Sequence, residues 1–261
     1  MAKKRQITAA ERRHQDYLRK KGLAVGHVYE QKLLKARRAE VRRVLLECRD
    51  WDDPERWPEV IGASLTESGY FYDWMKGLYL NAGLPRAKSI TRDLSRSKAE
   101  DPSGMWEQEI ARYALSRAGE EIVSVEGSLK DTLVNILRAQ MLQNEGGVGV
   151  EKLTQQVFRA YGNMAEWMVR RIAQTETMIG LADAGDIAAR SLDVGFDKQW
   201  VISGLGNTRD THAVMDGVVV GQDEPFELED CMMMYPHDGS MGAPAGEIIN
   251  CACDVLRLPR R

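Results

Sequence analysis

The feature that most constrains this fold is a change in the spacing of apolar residues near Gly195. Before it, apolar side chains recur every three to four residues, most clearly in a predicted helix that reaches Arg190. After it, short β-branched runs at 199–202 and 217–220 alternate with Gly, Asn, Asp and Pro, a pattern typical of strands joined by turns. We therefore predict an α+β protein: a mainly helical N-terminal portion and a small mixed α/β, loop-rich C-terminal module.

Glycine and proline positions predict the interruptions of the helical portion. Residues 1–25 are predicted to be loosely ordered because Gly22 lies near their end and another glycine follows. Gly83 and Pro85 predict the end of a helix, with an exposed connection over 84–104. The resulting domains are a basic N-terminal arm and helix, a helical region and a C-terminal module, at 1–50, 51–145 and 146–261.

Charge is distributed unevenly along the chain. Residues 1–45 contain fourteen Lys and Arg but four Asp and Glu, a net charge of +10, whereas the rest contains 22 basic and 35 acidic residues, a net −13. A basic arm on an acidic body indicates contact with a polyanion such as double-stranded DNA or with an acidic protein surface, although a solvated basic helix has the same pattern. The candidate nucleic-acid contacts are Lys3, Lys4, Arg5, Arg12, Arg13, Arg37, Arg38, Arg42 and Arg43.

The composition of the chain indicates the compartment in which the protein is made and argues against a membrane-spanning protein. No run of about 18 apolar residues is present, which argues against a membrane-spanning helix. The polar N-terminus lacks the apolar core of a signal peptide, so we expect synthesis in a cytoplasm. The four cysteines are expected to remain thiols there, although Cys231 could form a disulfide with Cys251 or Cys253 if the protein were later oxidised.

The most specific signal is a series of short motifs in the last hundred residues. A helix with Arg171 and Glu176 precedes the strand motif Lys198-Gln-Trp200, and a closing motif places Asn250 directly before Cys251-Ala-Cys253. Between them lie, in order, Arg209-Asp-Thr-His212, Asp216-Gly217, Glu224-Pro-Phe226 and Tyr235-Pro236.

From about residue 145 to 257 this series resembles the Mu F-like minor head proteins of tailed bacteriophages. Ala252 departs from that pattern, because the family usually has an arginine between the two cysteines. The resemblance implies a low-copy virion protein that acts in head morphogenesis by attaching to the portal or the inner capsid. It also implies possible contact with packaged DNA, a location in the virion head after assembly in the host cytoplasm, and no membrane partner.

Cysteine and histidine near the C-terminus suggest a structural zinc site independently of the resemblance. Cys251, Cys253 and His212, with either Cys231 or His237, would complete the four ligands that zinc prefers. A metal cross-link would stabilise a loop-rich module with a thin core. The alternative is that the cysteines are small buried apolar residues and that His212 forms hydrogen bonds in the core.

An enzyme carried in the phage head is the competing functional class. Arg209, His212 and Glu247 could form a polar set in a metal-dependent nuclease or transferase. No phosphate-binding Gly-Lys-Ser/Thr loop or His-Glu-x-x-His helix accompanies them, so we expect Arg209 and Asp216 to hold a loop on the sheet. The sequence thus favours an assembly protein over an enzyme.

Overall fold

The computed structural model describes residues 3–49, 54–64, 69–95, 103–143, 150–204 and 208–260. Helices dominate up to Arg190, and a small antiparallel sheet lies in the C-terminal part, which confirms the α+β prediction. A short 3-10 turn lies at Pro54–Arg56, directly before the second helix. The long helices and α2 are α1 (Ala9–Arg49), α2 (Trp57–Ser64), α3 (Gly69–Leu94), α4 (Ser103–Gln143) and α5 (Val150–Arg190).

The prediction of a loosely ordered start over residues 1–25 is wrong, because α1 begins at Ala9. Thr8 and Glu11 form a reciprocal cap: the Thr8 amide donates to the Glu11 carboxylate at 2.8 Å and the Glu11 amide to the Thr8 hydroxyl at 3.2 Å. A Cβ on Gly22 would lie 2.4 Å from Leu181, and one on Gly26 would lie 2.3 Å from Thr177. Both glycines therefore permit close helix packing instead of ending the helix.

The predicted helix end at Gly83 and Pro85 is also wrong, since α3 continues to Leu94. A Cβ on Gly83 would approach Ala184 to 2.8 Å, so this glycine too allows α3 and α5 to pack closely. Residues 84–94 are thus helical instead of an exposed connection, whereas 96–102 lie outside the described residues. The predicted boundary between the helical region and the C-terminal module, at 145–146, lies outside them as well.

The C-terminal sheet has four antiparallel strands. Their order is β1 (Lys3–Lys4), β3 (Val218–Gly221), β2 (Phe196–Val201) and β6 (Asp254–Pro259). Strands β2 (Phe196–Val201) and β3 (Val218–Gly221) confirm the two runs that the sequence predicted. The remaining elements are β1 (Lys3–Lys4), the hairpin β4 (Phe226–Glu227) and β5 (Met232–Met233), β6 (Asp254–Pro259), and the short helices α6 (Asp210–Ala213) and α7 (Ala245–Ile248).

The outer strand β1 comes from the basic N-terminus, which the sequence did not predict. Lys3 pairs with Val219 and Lys4 with Val218, and the Arg5 amide donates to the Gly217 carbonyl at 2.9 Å. The Gln199 side-chain amide donates in turn to the Arg5 carbonyl at 2.6 Å. These contacts attach the first residues of the chain to the edge of the C-terminal sheet.

Contacts divide the chain into two compact units, each built from several sequence segments. The first comprises Met1–Val28, Lys76–Ala114 and Ala173–Arg261, and the second comprises Tyr29–Met75 and Leu115–Ile172. Within the second unit, Trp74 stacks on Phe71 with ring centroids 5.4 Å apart, and its indole donates to the Tyr29 carbonyl at 2.7 Å. No helix among the residues that the structure describes is long and apolar enough to cross a membrane.

Within the first unit, buried polar side chains fix α5 and α3 against the sheet. The Arg86 guanidinium pairs with Asp254 at 2.7 Å, and the Tyr235 hydroxyl donates to Asp183 at 2.7 Å. Arg257 donates to the Ala182 carbonyl at 3.3 Å. Removing one partner of a buried ion pair leaves an uncompensated charge, so the Arg86–Asp254 pair restricts how α3 is placed against β6.

Candidate metal centre

The candidate metal centre is built around His212, which α6 holds in the C-terminal core. The side chain is 1% exposed, and the Trp200 ring meets it edge-on with centroids 5.2 Å apart. The His212 amide donates to the Arg209 carbonyl at 3.1 Å within the turn that forms α6. Backbone and aromatic contacts therefore limit the positions open to the imidazole.

Two cysteines approach the same nitrogen of this imidazole. Cys251 Sγ and Cys253 Sγ each lie 3.4 Å from His212 Nδ1, and both residues are buried. The Cys253 amide also donates to Cys251 Sγ at 3.4 Å. The three potential ligand atoms lie within 4.8 Å of one another, so this buried cluster could hold a metal ion.

Asn250, the residue before the cysteines, turns the chain directly before the two thiols. Asn250 has φ of 56°, a left-handed conformation that asparagine tolerates better than most residues. The backbone amide of Asn250 donates to the Thr175 hydroxyl on α5 at 3.3 Å. The chain then enters β6, whose pairing with β2 begins where Asp254 lies opposite Val201. The closing motif is thus fixed to α5 at one end and to the sheet at the other.

A carboxylate lies on the far side of the imidazole. Glu247 Oε2 is 2.8 Å from His212 Nε2 and accepts a hydrogen bond from the Thr211 hydroxyl at 3.1 Å. The Nε2 contact is short enough for an ion pair but lacks hydrogen-bond alignment, so a small ring rotation is needed to point the N–H at the carboxylate. A proton on Nε2 leaves the Nδ1 lone pair facing the thiols, and metal-binding histidines are commonly oriented in this way.

The two thiols differ in acidity. A hydrogen bond from Cys253, helped by His237 and His212 and opposed by burial, lowers the pKa of Cys251 to about 3. The hydrogen bond with Cys251 and then burial raise the pKa of Cys253. The two thiols therefore do not lose their protons together, and binding of a metal by both of them requires deprotonation of Cys253.

Of the four predicted metal ligands, three lie together and Cys231 lies apart. Cys231 is partly exposed and packs at the edge of the core around Trp200, and burial followed by Glu247 raises its pKa. His237 is buried, with Nε2 2.9 Å from the Cys253 carbonyl oxygen, and its Nδ1 has no hydrogen-bond partner among the described residues. A small pocket beside the cluster is lined also by Ser203, Thr208, Arg209 and Asn250.

The other motif residues have structural contacts. The Arg209 guanidinium donates to the Ile249 carbonyl at 2.5 Å, while Asp216 accepts from the Ile202 amide at 3.1 Å. Glu176 accepts a hydrogen bond from the Tyr79 hydroxyl at 2.8 Å. Arg171 lies over the Trp167 ring, 4.3 Å from its centroid, in the second unit. Arg209 therefore ties α6 to the closing motif.

The predicted nucleic-acid contacts fall into two groups. Lys3, Lys4, Arg13 and Arg42 are exposed. The other five form ion pairs within the chain, namely Arg5–Glu11 at 2.7 Å, Arg12–Asp216 at 2.5 Å, Arg37–Glu40, Arg38–Glu166 and Arg43–Glu47, each of the last three at 2.6 Å. Arg37 is 5% exposed, so it is poorly placed to contact a phosphate.

Sequence reasoning missed two residues that support the centre. The role of Thr175, which holds Asn250, was not predicted, and Glu247 was predicted only as a member of a polar set with Arg209 and His212, not as a carboxylate that orients a metal-binding histidine. A threonine directly before a buried glutamate on a helix gave no specific signal, since hydroxyl-to-backbone contacts between distant segments have no fixed spacing. No known protein family, curated protein or solved structure matches this chain.

Proposed function

We propose that this protein is a minor head protein of a tailed bacteriophage, of the Mu F-like type, whose C-terminal module is closed by a structural zinc ion. One observation carries the proposal: separate motifs that underlie the resemblance lie side by side. Trp200 contacts His212, His212 contacts both cysteines, and the neighbouring Asn250 is held by α5. These motifs therefore have one shared structural role, the closure of a compact module.

The distances in the cluster suit zinc. A tetrahedral zinc ion, with bonds of about 2.3 Å to sulfur and about 2.0 Å to nitrogen, holds those ligand atoms about 3.5 Å apart. The two observed Sγ–Nδ1 distances are 3.4 Å. A single Nδ1 lone pair or proton cannot satisfy two thiols fully, whereas a metal ion between the three atoms engages all of them. Cys251, Cys253 and His212 would hold the ion, with water, Cys231 or His237 as fourth ligand.

The orientation of Glu247 favours a structural ion over a catalytic one. Zinc proteases place a glutamate base beside the metal-bound water. Glu247 instead meets the ring nitrogen that points away from the thiols, where it orients the ligand. The ion would join α6, the closing motif and, through Trp200, strand β2. Nuclease or transferase activity is therefore the less favoured function.

The proposed assembly role predicts the location and partners of the protein. The exposed basic residues Lys3, Lys4, Arg13 and Arg42 would contact packaged DNA or an acidic portal surface. The portal or inner capsid would hold the protein at low copy number in the head.

The decisive experiment is quantitative mass spectrometry of purified phage heads, combined with a search for density of this protein near the portal. We expect a low, constant number of copies of this protein per particle. Heads assembled after inactivation of its gene should lack these copies. Mature heads without the polypeptide would contradict the proposal. Metal-dependent cleavage of DNA by the wild type that is lost in His212→Ala, while His27→Ala, at an exposed histidine outside the cluster, cleaves normally, would favour the enzyme instead.

A further inference from the structure

A cavity of about 420 Å³ lies in the first unit, between α1, α3 and α5, away from the metal centre. Its size is within the range of small-molecule sites, which are usually between about 300 and 1,000 Å³. Its apolar wall consists of Leu18, Val25, Ala82, Pro85 and Leu181. None of the functions proposed above uses this cavity.

Residues with short side chains on α1 and α3 border the cavity. Gly22 presents no side chain and lies against Leu181, where an added Cβ would come within 2.4 Å. Ala82 and Pro85 on α3 are likewise short, so no large side chain fills the space between the helices.

The mouth of the cavity is cationic. Lys21, Lys88 and Arg92, here called the cationic rim, line the cavity and are exposed, and no Asp or Glu is among its described lining residues. Lys21 Nζ lies 5.0 Å from the centre of the Tyr17 ring, and Arg92 donates to the Ser89 hydroxyl at 3.3 Å. No carboxylate of the described chain is paired with these three cations.

A buried guanidinium supplies a second polar feature. Arg86 is 2% exposed and lines the same cavity. Its terminal nitrogens donate to Asp254 at 2.7 Å and to Gln15 at 3.0 Å, whereas its buried Nε has no hydrogen-bond partner among the described residues. Buried donors are usually satisfied, so an unpartnered one beside a cavity points to an acceptor that the protein chain does not provide.

We propose that this cavity binds a small amphiphilic anion, with its apolar body against the apolar wall and its acidic group at the cationic rim. A carboxylate or sulfonate attached to a short alkyl or aromatic group fits this chemistry. A neutral molecule of the same shape would leave the rim unused, and a hydrophilic anion would leave the wall exposed to water.

The test compares two fluorescent probes that differ in charge, anilinonaphthalene sulfonate and neutral phenylnaphthylamine, on the full chain. We expect one sulfonate probe per chain, displaced by octanoate but not by octanol. Lys88→Gln/Arg92→Gln should bind the sulfonate probe about tenfold more weakly, as expected for two partly exposed charge contacts, and bind the neutral probe as before. The matched control Lys76→Gln/Arg112→Gln removes two exposed charges from α3 and α4 outside the cavity and should behave like the wild type.

A second variant tests the wall separately from the rim. Val25→Phe fills the space and should weaken both probes, provided that its circular dichroism and melting match those of the wild type. Equal affinity of the rim variant and its control would overturn the proposal. So would octanol competing as well as octanoate, or displacement of the sulfonate probe by a partner protein only.

Discussion

Removal of zinc should destabilise the first unit. The size of this loss of stability follows from mass action. Zinc present at 100 to 1,000 times its dissociation constant stabilises the folded state by about 2.7 to 4.1 kcal/mol. For a protein of this length, each kcal/mol corresponds to roughly 2 to 4 °C in melting temperature. Chelation should therefore lower the Tm by about 5 to 16 °C, because the thiols and His212 lose their common partner while remaining buried.

The assay follows heat unfolding of reduced protein by calorimetry, with zinc content measured in the same samples. Near-ultraviolet circular dichroism should report local loosening, since Trp200 packs against His212 and Phe226. Cys251→Ser should already melt near the chelated temperature and respond little to chelator. The matched control Cys231→Ser should retain zinc and its full response if the partly exposed Cys231 is not the fourth ligand.

Two results would refute this reasoning. The first is purified, reduced protein that contains no zinc, binds none when it is added and melts at the same temperature in chelator. The second is a Cys251→Ser variant that binds zinc as tightly as the wild type. Loss of zinc in Cys231→Ser would instead identify Cys231 as a ligand and require the loop around it to move toward the cluster.

Three further predictions concern the support of the centre, a buried lysine and the basic face. Glu247→Gln should weaken zinc binding about 10- to 100-fold in a competition assay with a chelating dye, because it loses the carboxylate that orients His212; unchanged affinity would contradict that role. Burial lowers the pKa of Lys198 to about 8, so between pH 8 and the unfolded value near 10.5 the unfolded chain binds more protons and folded-state stability rises with pH. Denaturant unfolding should show that rise relative to Lys198→Met, and parallel pH profiles would exclude it. Replacing four exposed residues by Gln should reduce the salt slope of DNA binding by up to about 3.6 in filter-binding titrations, whereas an unchanged slope would place DNA elsewhere; the residues are Lys3, Lys4, Arg13 and Arg42.

The sequence predicted the fold class well because its evidence is periodic and local. Apolar spacing identified α5, and the β-branched runs identified β2 and β3. Glycine was misleading for the opposite reason. At Gly22 and Gly83 its value lies in a contact with α5, a distant segment, so local rules read it as an interruption.

For the candidate centre, the sequence predicted which residue types could bind a metal, because this depends on residue chemistry alone. The one-residue cysteine spacing and His212 indicated a possible metal cluster, which the structure brings together. It could not decide between Cys231 and His237, because both are separated from the cluster by loops whose path depends on tertiary contacts. The role of Thr175 was equally hidden, since it depends on the left-handed turn at Asn250.

The pairing of Lys3 with Val219 gives this chain an unusual order of events during synthesis. Lys3 and Lys4 leave the ribosome long before their partner strand, so β1 cannot form until Val218–Gly221 has been made. Joining ends so far apart also closes a very long loop, a step that slows folding. Lys3 and Lys4 therefore stay without a strand partner in every shorter nascent chain, whereas β3 meets an edge strand that has already been made.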